Sequence, residues 1–203
     1  MSKQKRLPAE ERKRVILRAA IEVFSESNYR VAKVSEIAAR AGVTDPMIYK
    51  FFTSKKELFV EVLTITNRKT LEKFGIQNFL TDKLINNAEP IREAIEKSLL
   101  AYFSSMEKYQ KELKVFYQAI SEIDDPDIQN VIRSTYKGLA NSLEPILQHA
   151  TDIGILSGQL DAKTIAWDIV GFTIQQNALF LADLYNEKHA KALLKERIKS
   201  WIG

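Results

Sequence analysis

The chain lacks cysteine altogether, which excludes disulfides, cysteine nucleophiles and thiolate metal sites and fits a cytoplasmic protein. Histidine is nearly missing too, with His149 and His189 the only two. His149 and Asp152 have helical i,i+3 spacing, but one such pair is ordinarily a surface or capping arrangement, so neither a metal nor a cofactor is expected. No glycine-rich phosphate loop, nucleophile elbow or zincin motif occurs, and no enzyme is expected. Glycine and proline are scarce, seven and five in 203 residues, and no stretch alternates as a strand does, so the chain reads as helical throughout. No apolar run reaches the roughly 18 residues of a membrane span. Residues 1–6 are basic with no apolar segment behind them, unlike a signal peptide.

What the chain has is concentrated in residues 34–51, which read as two short helices joined by a tight turn. Ile37, Ala38 and Ala41 give the first an apolar face. Gly42 stands where that helix must stop, a position that favours φ > 0. Val43 fills the corner. Thr44 is placed to cap the second helix, with Asp45 and Pro46 in its first turn. Ile48 and Phe51, three apart, are expected to face inward, leaving Thr44, Asp45, Met47, Tyr49 and Lys50 near the other face. This is a helix-turn-helix, a unit whose second helix enters the DNA major groove.

Upstream, Val15, Ile16, Ala19, Ala20, Val23 and Phe24 mark an amphipathic helix over 8–27. Downstream, residues 49–58 lead into another helix. Taken in order, Ile16, Ala20, Val23, Phe24, Tyr29, Val34, Ile37, Ala38, Gly42, Val43, Ile48, Tyr49, Phe52, Ser54, Lys55, Glu57 and Leu58 make residues 14–58 resemble the amino-terminal domain of the tetracycline-repressor (TetR) family of bacterial transcription regulators. Two positions depart from the family pattern. Asn28 stands where the family usually has glycine, and asparagine tolerates a left-handed backbone better than most residues. Ala32 and Lys33 stand where the family often has a hydroxyl, so Lys33 is a candidate for a charge contact instead.

The charge is uneven. Residues 1–60 hold 13 Lys and Arg against 7 Asp and Glu, while residues 61–203 hold 17 against 19. The basic excess therefore coincides with the helix-turn-helix, as a phosphate-binding surface requires. Candidate DNA contacts are Lys33, Thr44, Asp45, Pro46, Met47, Tyr49, Lys50 and Lys55. Lys50 suits guanine O6/N7 or a phosphate, Met47 and Thr44 suit thymine methyls, and Asp45 suits cytosine N4 or a cap. The resemblance implies a phosphate contact for Tyr49, since the matching tyrosine more often contacts phosphate in proteins of similar sequence. Lys55, at the start of the fourth helix, is placed as a phosphate ligand, and Arg30 and Lys33 are further phosphate candidates. Lys3, Lys5 and Arg6 form either an arm against DNA or a tail.

The rest reads as further helices over 54–74, 90–108, 112–123, 127–153, 162–186 and 188–202, with a polar loop region over 75–90. Pro145 should kink or split the 127–153 helix. Asp161 should cap the 162–186 helix. Residues 166–185 are apolar on more than one face, so that helix is either central or meets a second copy of the chain.

The expected fold is all-α: a three-helix DNA-binding head over 1–53 and a larger helical ligand-binding and dimerisation domain over 54–203, about nine helices in all. The resemblance implies a homodimer formed through the last two long helices, and two heads one helical turn apart suit a palindromic operator. It also implies a small-molecule inducer in the carboxy-terminal domain. Candidate pocket residues are Phe103, Met106, Phe116, Tyr117, Ile120 and Tyr136, together with Leu139, Trp167, Phe172, Gln175 and Gln176. Their apolar and aromatic weight suits an apolar or aromatic ligand, with one of the glutamines as a polar anchor or as a pair across the dimer. Aromatic and Met residues at this spacing more often build plain core than line a cavity. The expected function is a ligand-responsive repressor in the bacterial cytoplasm, associated with the nucleoid and not with a membrane. An activator or partner-controlled regulator without an inducer is the alternative, and a helical-bundle enzyme or carrier is a more distant one.

Overall fold

A computed structural model describes residues 8–74, 88–154, 156 and 160–202, and among these every regular element is a helix. In chain order they are α1 (Ala9–Val31), α2 (Val34–Ala41), α3 (Asp45–Tyr49), α4 (Lys55–Phe74), α5 (Ala88–Ser105), α6 (Gln110–Ala119), a 3-10 turn (Ile120–Glu122), α7 (Pro126–Asp152), α8 (Ala162–Leu181) and α9 (Glu187–Ile202). None is long and apolar enough to cross a membrane. Lys3, Lys5, Arg6 and most of the expected 75–90 loop lie outside the described residues.

The packing forms two compact units, Met1–Asn67 with Lys111–Ile132, and Arg68–Gln110 with Arg133–Gly203. These units do not follow the functional division expected at 53/54. The first half of α4, nearly all of α6 and the start of α7 pack with the head.

The first unit is built on the stripe anticipated for α1. Ile16, Ala19, Ala20, Val23 and Phe24 are buried, with Ile37, Ile48, Phe52, Leu58 and Phe59 from the following helices. Phe59 of α4 stacks on Tyr29 at 4.4 Å between ring centroids and meets Phe24 edge-on at 5.1 Å. Each such buried side chain contributes roughly 1.5–3 kcal/mol of transfer free energy, enough to hold helices too short to persist alone. α1 continues past Ser27 to Val31, but across a kink. Asn28 has φ 57 and ψ 166, a positive φ as anticipated, with a ψ well outside the left-handed helical region. Its side chain offsets part of that strain, because Oδ1 accepts from the backbone N–H groups of Arg30 and Val31 at 3.0 and 3.2 Å.

The second unit buries Ile91, Ile95, Leu99 and Phe103 of α5, Leu139, Leu143 and Leu147 of α7, Ile165, Ile169 and Phe172 of α8, and Leu194, Ile198 and Trp201 of α9. Asp168 ties α8 to α9, accepting from the Arg197 guanidinium and from Trp201 Nε1 at 2.9 Å. Asp161 caps α8 as expected, accepting from Thr164 N–H at 2.6 Å, and that bond holds its carboxyl below the usual carboxylate range. Pro145 does not split α7, which runs on as one helix to Asp152. α8 stops at Leu181, short of the expected 186. Asp183 there adopts φ 58 and Leu184 N–H closes back on the Leu179 carbonyl at 2.8 Å, a left-handed stop that releases the chain into α9.

Candidate nucleic-acid interface

The turn between α2 and α3 follows from Gly42. At φ 66 it sits where a Cβ would be strained, and its N–H bonds back to the Ala39 carbonyl at 3.2 Å. Val43 N–H then reaches the Ala38 carbonyl at 3.0 Å, which completes the close of α2. Thr44 takes an extended conformation and its carbonyl receives the N–H groups of Met47 and Ile48 at 2.9 and 3.3 Å. Its hydroxyl makes no capping hydrogen bond, contrary to the role anticipated for it. That leaves the Thr44 hydroxyl and methyl on the exposed side.

Ile48 is 1% exposed and anchors α3 in the head. Around it Thr44, Pro46, Tyr49 and Lys50 are exposed, and Asp45 and Met47 are half-buried. One short helix thus presents all six anticipated residues. The inward partner of Ile48 is Phe52, which is buried; Phe51, expected in that place, is only half-buried. The reason is local. α3 ends at Tyr49, and Phe52 N–H still reaches the Ile48 carbonyl at 3.0 Å, so the chain turns Phe52 beneath the helix. Arg12 from α1 approaches the Met47 sulfur at 3.8 Å.

Lys55 is more heavily used within the protein than the sequence suggested. Its ammonium donates to the carbonyls of Arg30 and Ala32, both at 3.1 Å, and lies 5.0 Å from the centroid of the Tyr29 ring. It therefore closes the end of α1 onto the start of α4. An ammonium has three protons, so one remains for a phosphate. Beside it, Ser54 Oγ accepts from Glu57 N–H at 3.1 Å, and Glu57 accepts from Thr53 N–H and hydroxyl at 2.5 and 2.6 Å. This reciprocal cap fixes the start of α4, and the Thr53 bonds hold the Glu57 carboxyl below its ordinary range.

Charge separates the basic residues of the first unit into two groups. Lys33, at the exposed start of α2, and Lys50, at the end of α3, have no ion-pair partner among the described residues. The Lys33 backbone is engaged in the helix start, where its N–H donates to Glu36 at 3.4 Å and its carbonyl accepts from Glu36 and Ile37 N–H at 3.1 and 3.4 Å. Arg30 instead pairs with Glu122 at 2.6 Å, and that bond raises its pKa above the ordinary value. Lys56 pairs with Asp127 and Asp125 at 2.7 and 3.2 Å and is raised by both. Lys111 pairs with Glu22. The acidic turn over 124–127 thus grips the head through Lys56, a role not among the sequence expectations. Three carboxylates in four positions was the available signal.

The family model for bacterial regulatory proteins of the tetR family matches residues 16–62, the span that builds this interface. The chain belongs to the TetR family. Across 189 residues it is 26% identical to the helix-turn-helix-type transcriptional regulator YhgD of Bacillus subtilis, covering 93% of this chain and 91% of that one. It is also 26% identical to the probable acrEF/envCD operon repressor of Escherichia coli, covering 100% and 92%. Among solved structures, that of the regulator FadR from Bacillus subtilis in complex with stearoyl-CoA superposes with a TM-score of 0.72 at 22% identity, covering 92% of this chain and 95% of that one. The TetR fold therefore extends beyond the head through the larger helical part, and the chain is a TetR-family transcriptional regulator.

In this TetR-family chain the anticipated ligand residues fall in both units. Phe116, Tyr117 and Ile120 belong to the first unit, and the other eight to the second. Phe103, Met106, Leu139, Phe172 and Gln176 are buried, and Tyr136 is half-buried. Trp167 and Gln175 are exposed on the opposite face of α8. The two glutamines thus part company. Gln176 is 2% exposed and its Nε2 has no hydrogen-bond partner among the described residues, while Gln175 faces outward. Near the same level of the core, the Tyr102 hydroxyl donates to Asn177 Oδ1 at 2.9 Å, and burial pushes Tyr102 up to about 12. Among the described residues, no three His, Asp or Glu side chains gather as a metal site.

Proposed function

We propose that this TetR-family regulator is a homodimeric repressor of the bacterial cytoplasm and nucleoid, reading a palindromic operator and released by a small apolar or aromatic inducer. The observation that carries the reading is the face of α3: Thr44, Pro46, Tyr49 and Lys50 exposed around a buried Ile48, with Lys33 at the start of α2 and Lys50 making no ion pair among the described residues. Residues 1–53, with Lys55 just beyond them, supply the DNA contacts, and residues 54–203 supply ligand binding and dimerisation.

A neutral stripe on α8 supports the dimer. Trp167, Gly171, Gln175 and Ala178 are exposed at helical spacing and none is charged. Beyond the exposed Lys163 in the first turn, this stripe carries an exposed tryptophan and no charge, which suits it to a second copy of itself. The Gln176 amide nitrogen, unpartnered among the described residues, supports the inducer. A buried donor without an acceptor costs about 1–3 kcal/mol, which a ligand oxygen recovers on binding. The relative bound to stearoyl-CoA and the relative named for an operon repressor agree with an inducer-responsive repressor. α4 contributes residues to both units and is the natural lever. A ligand acts through it only by binding the two conformers with different affinity.

The test is the stoichiometry of the complex. Sedimentation of the protein with an operator duplex should give two chains per duplex, and Trp167→Glu should give a monomer that binds at least tenfold more weakly. A wild-type monomer bound singly to an asymmetric site would refute the proposal.

A further inference from the structure

The second unit contains a cleft of about 500 Å³ between the end of α5, the end of α8 and the start of α9. That volume lies in the range of small-molecule sites. Its walls are partly aromatic, with Leu100, Ser104 and Gln110 alongside the rings and the acidic residues. Phe103, Phe180 and Tyr185 line it, with Tyr185 6.3 Å from each of the other two rings between centroids. Its charge is of one sign. Glu107 and Glu187 line the cleft, and among its described lining residues none is lysine or arginine. Glu187 is bound to Lys191 at 2.6 Å, one helical turn along α9. Glu107 has no ion-pair partner among the described residues. The field is felt inside: the Tyr185 hydroxyl is raised above its ordinary pKa, first by burial and then by Glu187.

We infer that this cleft binds lipophilic organic cations, with the aromatic walls taking the apolar body and Glu107 acting as the counter-ion. Ring faces attract a cation and carboxylates do so more strongly, while an anion of the same shape meets only repulsion from the acidic side chains. The left-handed turn at Asp183 sets the cleft's shape, because it brings Tyr185 back toward Phe180 before α9 begins. The inference goes beyond operator binding and does not depend on it. If the cleft also serves as the inducer site, the inducer class narrows from apolar molecules in general to cationic ones.

The experiment uses two ions of matched shape and opposite charge, tetraphenylphosphonium and tetraphenylborate, titrated calorimetrically into the full-length protein without DNA. The chain carries a net charge of +4, so unspecific attraction favours the anion. The inference requires the reverse: one phosphonium per chain, bound at least tenfold more tightly than the borate. Glu107→Gln, at an exposed position that leaves the fold intact, should weaken the phosphonium about three- to tenfold and leave the borate unchanged. Glu107→Lys should abolish the preference. Equal binding of the two ions, tighter binding of the borate, or a preference untouched by Glu107→Lys overturns the inference. None of those outcomes bears on DNA recognition, which is measured separately.

Discussion

The ammonium of Lys55 donates to the carbonyl of Ala32 at 3.1 Å, joining the start of α4 to the residue just past the end of α1. With the second bond to Arg30 and the ring of Tyr29 beneath it, this lysine positions the face that α2 and α3 present. Lys55→Met keeps the aliphatic stem and deletes both bonds. Charge-assisted bonds at a part-buried site contribute about 1–2 kcal/mol together after solvent screening, so thermal unfolding should fall by roughly 2–8 °C. A residue serving phosphate alone would lower DNA affinity and leave the melting temperature unchanged.

Tyr49 and Lys50 have the opposite profile. Both are exposed and neither supports the core, so Tyr49→Ala and Lys50→Ala should change stability by less than about 0.5 kcal/mol. DNA affinity should fall about tenfold or more in each. The salt dependence separates their roles. Loss of a phosphate contact reduces the slope of log K against log salt by about 0.9, whereas loss of a base contact relaxes specificity at one position. Titrations at several salt concentrations read both.

Asn28 is strained and partly compensated. A non-glycine residue in its φ, ψ region costs on the order of 1–3 kcal/mol. Asn28→Gly relieves that cost while losing the bonds to Arg30 and Val31, and a cap replaced by glycine costs only a few tenths of a kcal/mol. Stability should rise by about 1 kcal/mol. Asn28→Ala keeps the strain and loses the cap, and should lower stability by about 1–2 kcal/mol. Denaturant melts of the two variants should move in opposite directions.

The helix-turn-helix was legible because its signals are local. Gly42 at a positive φ, Ile48 turned inward and Pro46 in a first turn each follow from neighbours within four residues. The same periodicity failed at Phe51, because a helix of five residues does not carry a 3.6-residue repeat past its own end. The ion pairs of Arg30 with Glu122 and Lys56 with Asp127 were out of reach, since they join positions 92 and 71 residues apart. In the larger part, Phe103 and Gln176 show why pocket residues were harder. The apolar spacing that lines a cavity also builds a core, and Gln175 and Gln176 differ only in which way α8 turns them.

Tyr102 gives the fold an alkaline limit. Its folded pKa is raised to about 12 against an ordinary value of 10.0, because burial disfavours the phenolate. The neutral form is bound more tightly in the fold, so the contribution is complete below pH 10 and is lost as pH rises toward 12. Tyr102→Phe should remove that loss. It should also leave Asn177 Oδ1 without its donor, at a cost of about 1–3 kcal/mol at neutral pH. Denaturant midpoints followed from neutral pH to strongly alkaline pH should show a smaller slope in the variant.

The central claim is that α3 reads an operator as one half of a symmetric pair. Its most direct test is selection of bound sequences from a random pool of duplex DNA by the purified wild-type protein, run beside Tyr49→Ala. The account predicts that the wild type enriches a palindrome with half-sites about one helical turn apart and that the variant enriches it weakly. No enrichment by ligand-stripped wild-type protein, or the same enrichment by both proteins, would contradict it.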